Sequence, residues 1–262
     1  MEENAVTAGK KIYFASDFHL GIPDYESSRK REDLLVEWLG TIRSDAQEIF
    51  LMGDIFDFWF EYKTVVPKGY IRLLGKLAEL ADSGIPVHLF TGNHDIWAFS
   101  YLKQEIGLEL HRKPEVRSYM NKTFYLAHGD GLGPGDNGYK FLKKVFSNRL
   151  NQFLFRWLHP DIGAKMGLYF SRKSRLANLV KENKEVVMNR IEDEMLYQYA
   201  SDQLRKGLQA DFFIFGHRHL PANVALENGS RLIILGDWLT HYSYAEFDGN
   251  HLKLKYFNNN SL

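Results

Sequence analysis

The chain has 262 residues, with 33 Lys and Arg against 33 Asp and Glu, and no cysteine. The missing thiols exclude a disulfide scaffold, a Cys-ligated zinc or iron–sulfur site and thiol catalysis, and they fit a reducing compartment such as the cytoplasm. With 45% apolar and 15% aromatic residues the chain is not a disordered one, and its length suits one large α/β domain or two small ones.

The stretch from Met1 to Lys11 is acidic and polar, then basic, without the apolar centre of a secretory signal. No run of about 18 apolar residues predicts a membrane span. Ile12-Tyr13-Phe14-Ala15 empties into Ser16-Asp17-Phe18-His19, which predicts a buried strand ending in a loop. Leu34, Leu35, Trp38 and Leu39 then recur at helical spacing. A second apolar run spans Glu48 to Met52, a helix is expected over about 68–81, and a third run spans Pro86 to Phe90. This alternation predicts βαβ units and a largely parallel sheet, in which ligands gather at the carboxyl ends of the strands. Val116 to Ala127 predicts a hairpin turning at Asn121-Lys122. Val224 to Glu227 and Arg231 to Leu235 flank Asn228-Gly229, and another pair flanks Asp248-Gly249. These hairpin signals predict a second sheet, richer in antiparallel pairs, packed beside the first.

Residues 139–207 carry no strand signal. Leu142, Val145, Phe146, Leu150, Phe153, Leu154, Trp157 and Leu158 predict one amphipathic helix, and Val187, Ile191, Met195 and Tyr199 another. The expected organisation is therefore a single domain over 1–262 with a helical insertion at about 139–207.

Five clusters follow apolar runs: Asp17-Phe18-His19, Gly53-Asp54-Ile55-Phe56-Asp57, Gly92-Asn93-His94-Asp95, His128-Gly129-Asp130 and Gly216-His217-Arg218-His219. Residues two apart on extended chain point the same way, so Asp17 with His19, and His217 with His219, can share one ion. Carboxylate, imidazole and amide oxygen together suit Mn²⁺, Fe²⁺ or Zn²⁺. Taken singly, Asp and Gly after a strand are ordinary turn residues, and a lone buried His is more often a hydrogen-bonded core residue. Five of the ten histidines falling at strand ends on one rim is what turn chemistry does not explain.

The set D-x-H, G-D-x-x-D, G-N-H-D, H-G-D and G-H-x-H, in this order from about Lys11 to Phe257, resembles the calcineurin-like metallophosphoesterases. The resemblance implies a sandwich of two mixed β-sheets flanked by helices, and two divalent ions, with Mn²⁺ the expected metal. It implies that Asp17, His19, Asp54 and His219 hold the first ion and that Asp54 bridges. Asn93, His128 and His217 complete the second. His94 is then the unligated histidine at the scissile phosphate, with Asp95 orienting it, while Asp57 hydrogen-bonds a ligand histidine. The chemistry agrees, since two adjacent cations lower the pKa of a shared water and neutralise the transferring group. Neutral Asn93 keeps the ligand charge low, and His94 can protonate a leaving group.

The segment Lys140 to Lys184 carries eleven Lys or Arg and two acids, an excess of nine positive charges that the rest of the chain offsets. A basic amphipathic helix with aromatics suits an anionic membrane surface or an amphiphile's headgroup, or else a solvated charged face over an ordinary packing face. Nucleic acid is not an expected partner, because the apolar residues repeat at helical spacing and include many aliphatics. In its position this segment resembles the helical lid of one branch of the family, the UDP-2,3-diacylglucosamine pyrophosphohydrolases of lipid A synthesis. Matching residues are Asp136, Tyr139, Ser171-Arg172-Lys173-Ser174-Arg175, the Leu220-Pro221 that follows His219, and Leu235-Gly236-Asp237-Trp238. The resemblance implies release of UMP and an acylated sugar 1-phosphate, with peripheral contact at the cytoplasmic face of the inner membrane. It implies substrate contacts by Asn93, His94, Asp136, Tyr139, Ser171, Lys173 and Arg175. One departure stands out: the best-known members have arginine where this chain has His94. The other readings are a family phosphodiesterase or phosphatase with a nucleotide or phosphoprotein substrate, and a scaffold without chemistry. The sequence leaves the oligomeric state open.

Overall fold

The computed structural model describes residues 3–134, 137–185 and 191–257, with Glu3 and the helical residues 173–185 described in their backbone alone. Twelve strands build two six-stranded sheets among the described residues. The first sheet takes β2 (Lys11–Ala15), β3 (Ala46–Leu51), β4 (Val87–Phe90), β5 (Glu109–His111), β11 (Ser243–Phe247) and β12 (Leu252–Tyr256), in the order β12-β11-β2-β3-β4-β5. The second takes β1 (Glu3–Asn4), β6 (Glu115–Tyr119), β7 (Lys122–Ala127), β8 (Phe212–Phe215), β9 (Ala222–Ala225) and β10 (Arg231–Ile234), in the order β1-β6-β7-β8-β10-β9.

The expected hairpins form at β6–β7, β9–β10 and β11–β12. The last of them joins the first sheet, with β11 antiparallel to β2, so the second sheet is not the richer in antiparallel pairs. Each sheet contains three parallel and two antiparallel pairings. A hairpin signal is local and says nothing of the edge on which the hairpin docks.

Period-two alternation sorts side chains into layers. Along β2, Ile12 and Phe14 enter the core between the sheets with Phe50, Phe90, Phe124, Ile214 and Phe247. Tyr13 and Ala15 face the helical layer made by α1 (Tyr25–Ile42), α2 (Ile71–Asp82) and α3 (Tyr101–Ile106), through Leu35, Trp38, Leu77 and Leu102. Asp24 caps α1 by accepting from Ser27 N at 2.8 Å. Glu32 of α1 caps α2 by accepting from Arg72 N at 2.8 Å and Leu73 N at 3.1 Å.

Between β7 and β8 the described residues hold helices and no strand: α4 (Asn137–Ser147), α5 (Arg149–Arg156), α6 (Pro160–Glu185), a single 3-10 turn at Ile191–Asp193 and α7 (Met195–Arg205). The single helix expected across residues 142–158 is divided at Asn148, whose side chain accepts from Leu150 N and Asn151 N and starts α5 afresh. Of the second expected helix, Val187 lies outside the described residues and Ile191 sits in the 3-10 turn. Met195 and Tyr199 are in α7, which Glu194 caps. The outer face of the second sheet is covered by α7 through Leu196 and Ala200. Phe146, Phe155, Ala164 and Leu168 of α4–α6 pack on Phe58, Phe60 and Trp97.

Candidate metal centre

The parallel pairings β2–β3–β4 and β7–β8 bring five strand ends to one rim. The pairing continues past the strands: Asp17 N donates to Gly53 O at 3.0 Å and His19 N to Asp54 O at 2.9 Å. Asp17 (φ 57°), His19 (45°), Asp54 (54°) and His217 (63°) all lie in the left-handed region. That conformation is uncommon outside glycine and costs about 1–3 kcal/mol each, so the surrounding contacts hold the backbone in it. Glycine is required where the loops meet most closely. A Cβ at Gly92 would lie 2.1 Å from Asp54 Oδ1, and one at Gly216 would lie 2.7 Å from Asp17 Oδ2.

Three groups of donor atoms result: Asp17 with His19 and His219, Asp54 with His128 and His217, and His19 with Asp54 and His94; within each the atoms lie inside 4.8 Å of one another. Asp54 belongs to two of them. Its Oδ1 accepts from His94 N at 2.9 Å, while Oδ2 faces His128 Nε2 at 3.3 Å and His19 Nε2 at 3.9 Å. Asp17 Oδ1 faces His219 Nε2 at 3.4 Å and His19 Nε2 at 3.5 Å. Asp17 Oδ1, Asn93 Oδ1 and His128 Nε2 are buried and make no hydrogen bond.

The histidines are turned so that their inner nitrogens converge. His128 Nδ1 donates to Met52 O at 2.7 Å, leaving Nε2 to face Asp54. His19 Nδ1 faces Asp57 Oδ1 at 3.5 Å, and His219 Nδ1 faces Asp237 Oδ2 at 3.7 Å. With both outer nitrogens turned to carboxylates, His19 Nε2 and His219 Nε2 meet at 3.2 Å. Two lone pairs at that distance repel unless a proton or a cation lies between them. The donor set therefore fits borderline divalent ions held by oxygen and imidazole, with outer carboxylates fixing the tautomers.

Protons do that work in the metal-free pocket. Burial opposes charge on His19 and His128, but Asp17 and Asp57 around the first and Asp54 beside the second outweigh it and push both up to about 10. Burial likewise opposes ionised Asp17 and Asp54, yet the surrounding histidines hold both well below the usual carboxylate range. Burial and the neighbouring His128 bring His217 down to about 4. Because ligands must shed protons to bind metal, loading the metal-free protein with Mn²⁺ near neutral pH is expected to release about two protons per chain. Affinity should rise with pH until His19 and His128 are neutral, near 10. Calorimetry in buffers of differing ionisation enthalpy measures this, and an affinity flat between neutral and mildly alkaline pH would contradict it.

His94 lies 3.9 Å from Asp54 Oδ2 through Nε2, and its Nδ1 donates to the Asp57 carbonyl at 2.9 Å. Burial keeps its pKa below the ordinary imidazole value. Asp95, expected to orient this ring, does something else. Its carboxylate accepts from Gly92 N at 2.6 Å and Ile55 N at 2.9 Å, so it ties the β4 loop to the β3 loop. A main-chain carbonyl sets the ring instead.

Asp136 lies outside the described residues, and the side chains of Lys173 and Arg175 do too. Tyr139 donates to Asp130 Oδ2, which Lys143 Nζ also meets at 2.7 Å. Ser171 is buried and donates to Asp57 Oδ2 at 2.6 Å, so its hydroxyl is engaged with the centre. Two motif carboxylates thus anchor the helical segment: Asp130 holds α4, and Asp57 holds α6 while facing His19. A cavity of about 740 Å³ beside α7, bounded by Leu132, Pro134, Tyr197 and Arg205, includes none of the candidate ligands.

Two supporting residues lie outside the five clusters. Arg31 of α1 is buried and donates from Nε to Phe18 O at 2.7 Å, and from Nη2 to His19 O at 2.7 Å and Ile22 O at 2.6 Å, bracing the first loop. Asp237, the carboxylate facing His219, is fixed by amides of Leu239, Thr240 and His241 at 2.8–3.1 Å.

The family model described as calcineurin-like phosphoesterase matches residues 10–221. A UDP-2,3-diacylglucosamine hydrolase of Porphyromonas gingivalis is 39% identical, covering 94% of this chain and 97% of its own. A protein of the same name from Histophilus somni is 25% identical, covering 92% of this chain and 97% of its own. Among solved structures, a dimetal phosphatase from Danio rerio is 14% identical with a TM-score of 0.47, covering 95% of this chain and 96% of its own.

Proposed function

Since the chain belongs to the calcineurin-like phosphoesterase family, we propose that it hydrolyses the diphosphate of UDP-2,3-diacylglucosamine, releasing UMP and 2,3-diacylglucosamine 1-phosphate in lipid A synthesis. It is a metal-dependent hydrolase, and the near full-length likeness to relatives of that name supports the substrate.

Asp17, His19, Asp54 and His219 would hold one ion, and Asn93, His128 and His217 the other, with Asp54 shared; the mixed oxygen and imidazole set suits Mn²⁺, Fe²⁺ or Zn²⁺, and likeness to the family favours Mn²⁺ among them. When bound, such a pair lowers the pKa of the attacking water and neutralises charge on the phosphoryl group. His94, fixed through Nδ1 by the Asp57 carbonyl, keeps Nε2 available to stabilise or protonate the leaving oxygen. Asn93 and Tyr139 would contact substrate near the centre. Asp136, Lys173 and Arg175 are assigned to it from the sequence alone, and Ser171 would act through its bond to Asp57.

One observation carries the lipid part of the reading. Of the sixteen large apolar side chains left exposed among the described residues, ten lie between Phe141 and Phe170, Trp157 being 75% exposed. An ordinary packing face would bury them, whereas exposed apolar groups among basic ones suit an amphiphile and an anionic bilayer. The helical segment would therefore act as a lid over acyl chains, and rest on the cytoplasmic face of the inner membrane.

Incubation with Mn²⁺ and UDP-2,3-diacylglucosamine in ¹⁸O-water tests the reaction. UMP carrying the label is expected, from attack at the α-phosphorus. Cleavage of a generic phosphodiester without any UMP would overturn the substrate and leave the phosphoesterase. For the membrane, flotation with phosphatidylglycerol vesicles should retain the protein and lose a Leu150→Glu, Trp157→Glu variant. Equal flotation of the two would remove α5 from the contact.

A further inference from the structure

A second group of ligand-type side chains lies away from the rim, at the edge of the first sheet. His88 of β4 is buried, and its Nδ1 lies 3.1 Å from His111 Nε2 and 3.3 Å from Glu109 Oε2, both on β5. Each histidine has a carboxylate on its outer nitrogen. His88 Nε2 faces Glu48 Oε2 at 3.4 Å, and His111 Nδ1 meets Glu115 Oε1 at 2.5 Å.

The tautomers of this arrangement conflict when both rings are neutral. The bond to Glu115 places the proton of His111 on Nδ1, so its Nε2 presents a lone pair to His88. If His88 carries its proton on Nε2, toward Glu48, two lone pairs face each other at 3.1 Å. If it carries the proton on Nδ1, its Nε2 lone pair points at a carboxylate. A cation among the three inner atoms removes the conflict, with Nε2–H turned to Glu48 and Nδ1–H to Glu115. That is the carboxylate–histidine–metal arrangement twice over. Tetrahedral bonds of about 2.0–2.1 Å place neighbouring ligand atoms about 3.3 Å apart, which matches the separations of 3.1 and 3.3 Å. The Glu109 carboxylate, with a side chain 58% exposed, gives an ion a way in.

We propose that His88, His111 and Glu109 form a third metal site, independent of the rim centre, that takes Zn²⁺ and staples the edge strand β5 to β4. Two imidazoles, one carboxylate and an open fourth position suit that ion. The strand β4, to which β5 is fastened, runs directly into the Gly92-Asn93-His94-Asp95 loop, so the site would steady one wall of the rim from the side.

The test compares the full-length protein with a Glu109→Gln, His111→Gln variant by equilibrium dialysis against Zn²⁺ and metal analysis. The variant is expected to bind one ion fewer per chain, while its Mn²⁺-supported release of UMP stays near that of the parent. Zn²⁺ should also raise the Tm of the parent more than that of the variant. Glu109→Gln alone, an exposed change, should weaken the same ion measurably and serves if the double variant folds poorly. The stoichiometric difference carries the test, so it does not depend on how many ions the rim takes. Equal stoichiometry in parent and folded variants overturns the proposal and leaves a protonated His88 between Glu48 and His111.

Discussion

An Asp54→Asn protein is expected to retain its fold and to lose more than about 100-fold in kcat/KM, together with one or both ions. Loss of an outer partner of a metal-bound histidine typically costs about 10–100-fold in affinity or activity. Asp54 stands closer than that, with Oδ2 facing His128 and His19 on opposite sides of the rim. Asparagine keeps the shape and the Oδ1 acceptor for His94 N, so the β4 loop stays anchored. It removes the negative charge shared by the two donor groups. The same change should lower the pKa of His128, since Asp54 is the charge that raises it against burial. NMR titration of the histidines in the metal-free variant checks this separately from activity. Full turnover with two bound ions would remove Asp54 from the bridging position.

What the sequence made legible was local. Asp17, His19, Asp54, Asn93, His128, His217 and His219 announce themselves because polar side chains at the ends of apolar runs have few other reasons to be there. In parallel sheets such ends share one edge. The supporting contacts were not legible, because they are made by groups without a pattern. Arg31 sits in an amphipathic helix like any other charged residue, and its three acceptors are main-chain oxygens. Nor does any spacing reveal that the Asp57 carbonyl, rather than Asp95, sets the His94 ring. The helix α3 and strand β5, six and three residues long, are too short for periodicity to register. The third proposed metal site escaped for the same reason, since two of its three residues are on β5.

The helical segment shows how charge separation operates within a neutral chain. Its basic and aromatic face was visible in the count of residues, but not its attachment. Asp130 and Asp57 belong to the motif blocks yet hold Tyr139, Lys143 and Ser171. A carboxylate placed beside a metal centre for electrostatic reasons can thereby also position the elements above it. Ser171→Ala would break a buried, charge-assisted bond of the kind worth about 1.5–3 kcal/mol. It is the direct way to ask whether α6 and His19, which share Asp57, are coupled.

Replacing His94 with alanine is expected to lower kcat by about 10²–10⁴-fold, the range for loss of a positioned general acid, while both ions remain bound. His94 Nε2 lies 3.9 Å from Asp54 Oδ2, near enough to be mistaken for a ligand. Its other nitrogen is committed to the Asp57 carbonyl, and burial disfavours its charged form in the metal-free pocket. With Nδ1–H so committed, a neutral ring presents only a lone pair at Nε2, so His94 can stabilise or protonate a leaving oxygen through Nε2–H only when the anionic substrate draws the ring into its imidazolium form. His94→Gln supplies an amide N–H in place of Nδ1–H but no titratable nitrogen, so it should keep stability and metal content without recovering the rate. His94→Arg offers a charge without a proton to give near neutral pH, and recovery by arginine but not glutamine would make charge stabilisation the role. If His94→Ala loses ions in step with activity, the residue is a ligand. If it turns over at the parent rate, the leaving group needs no help from this side chain.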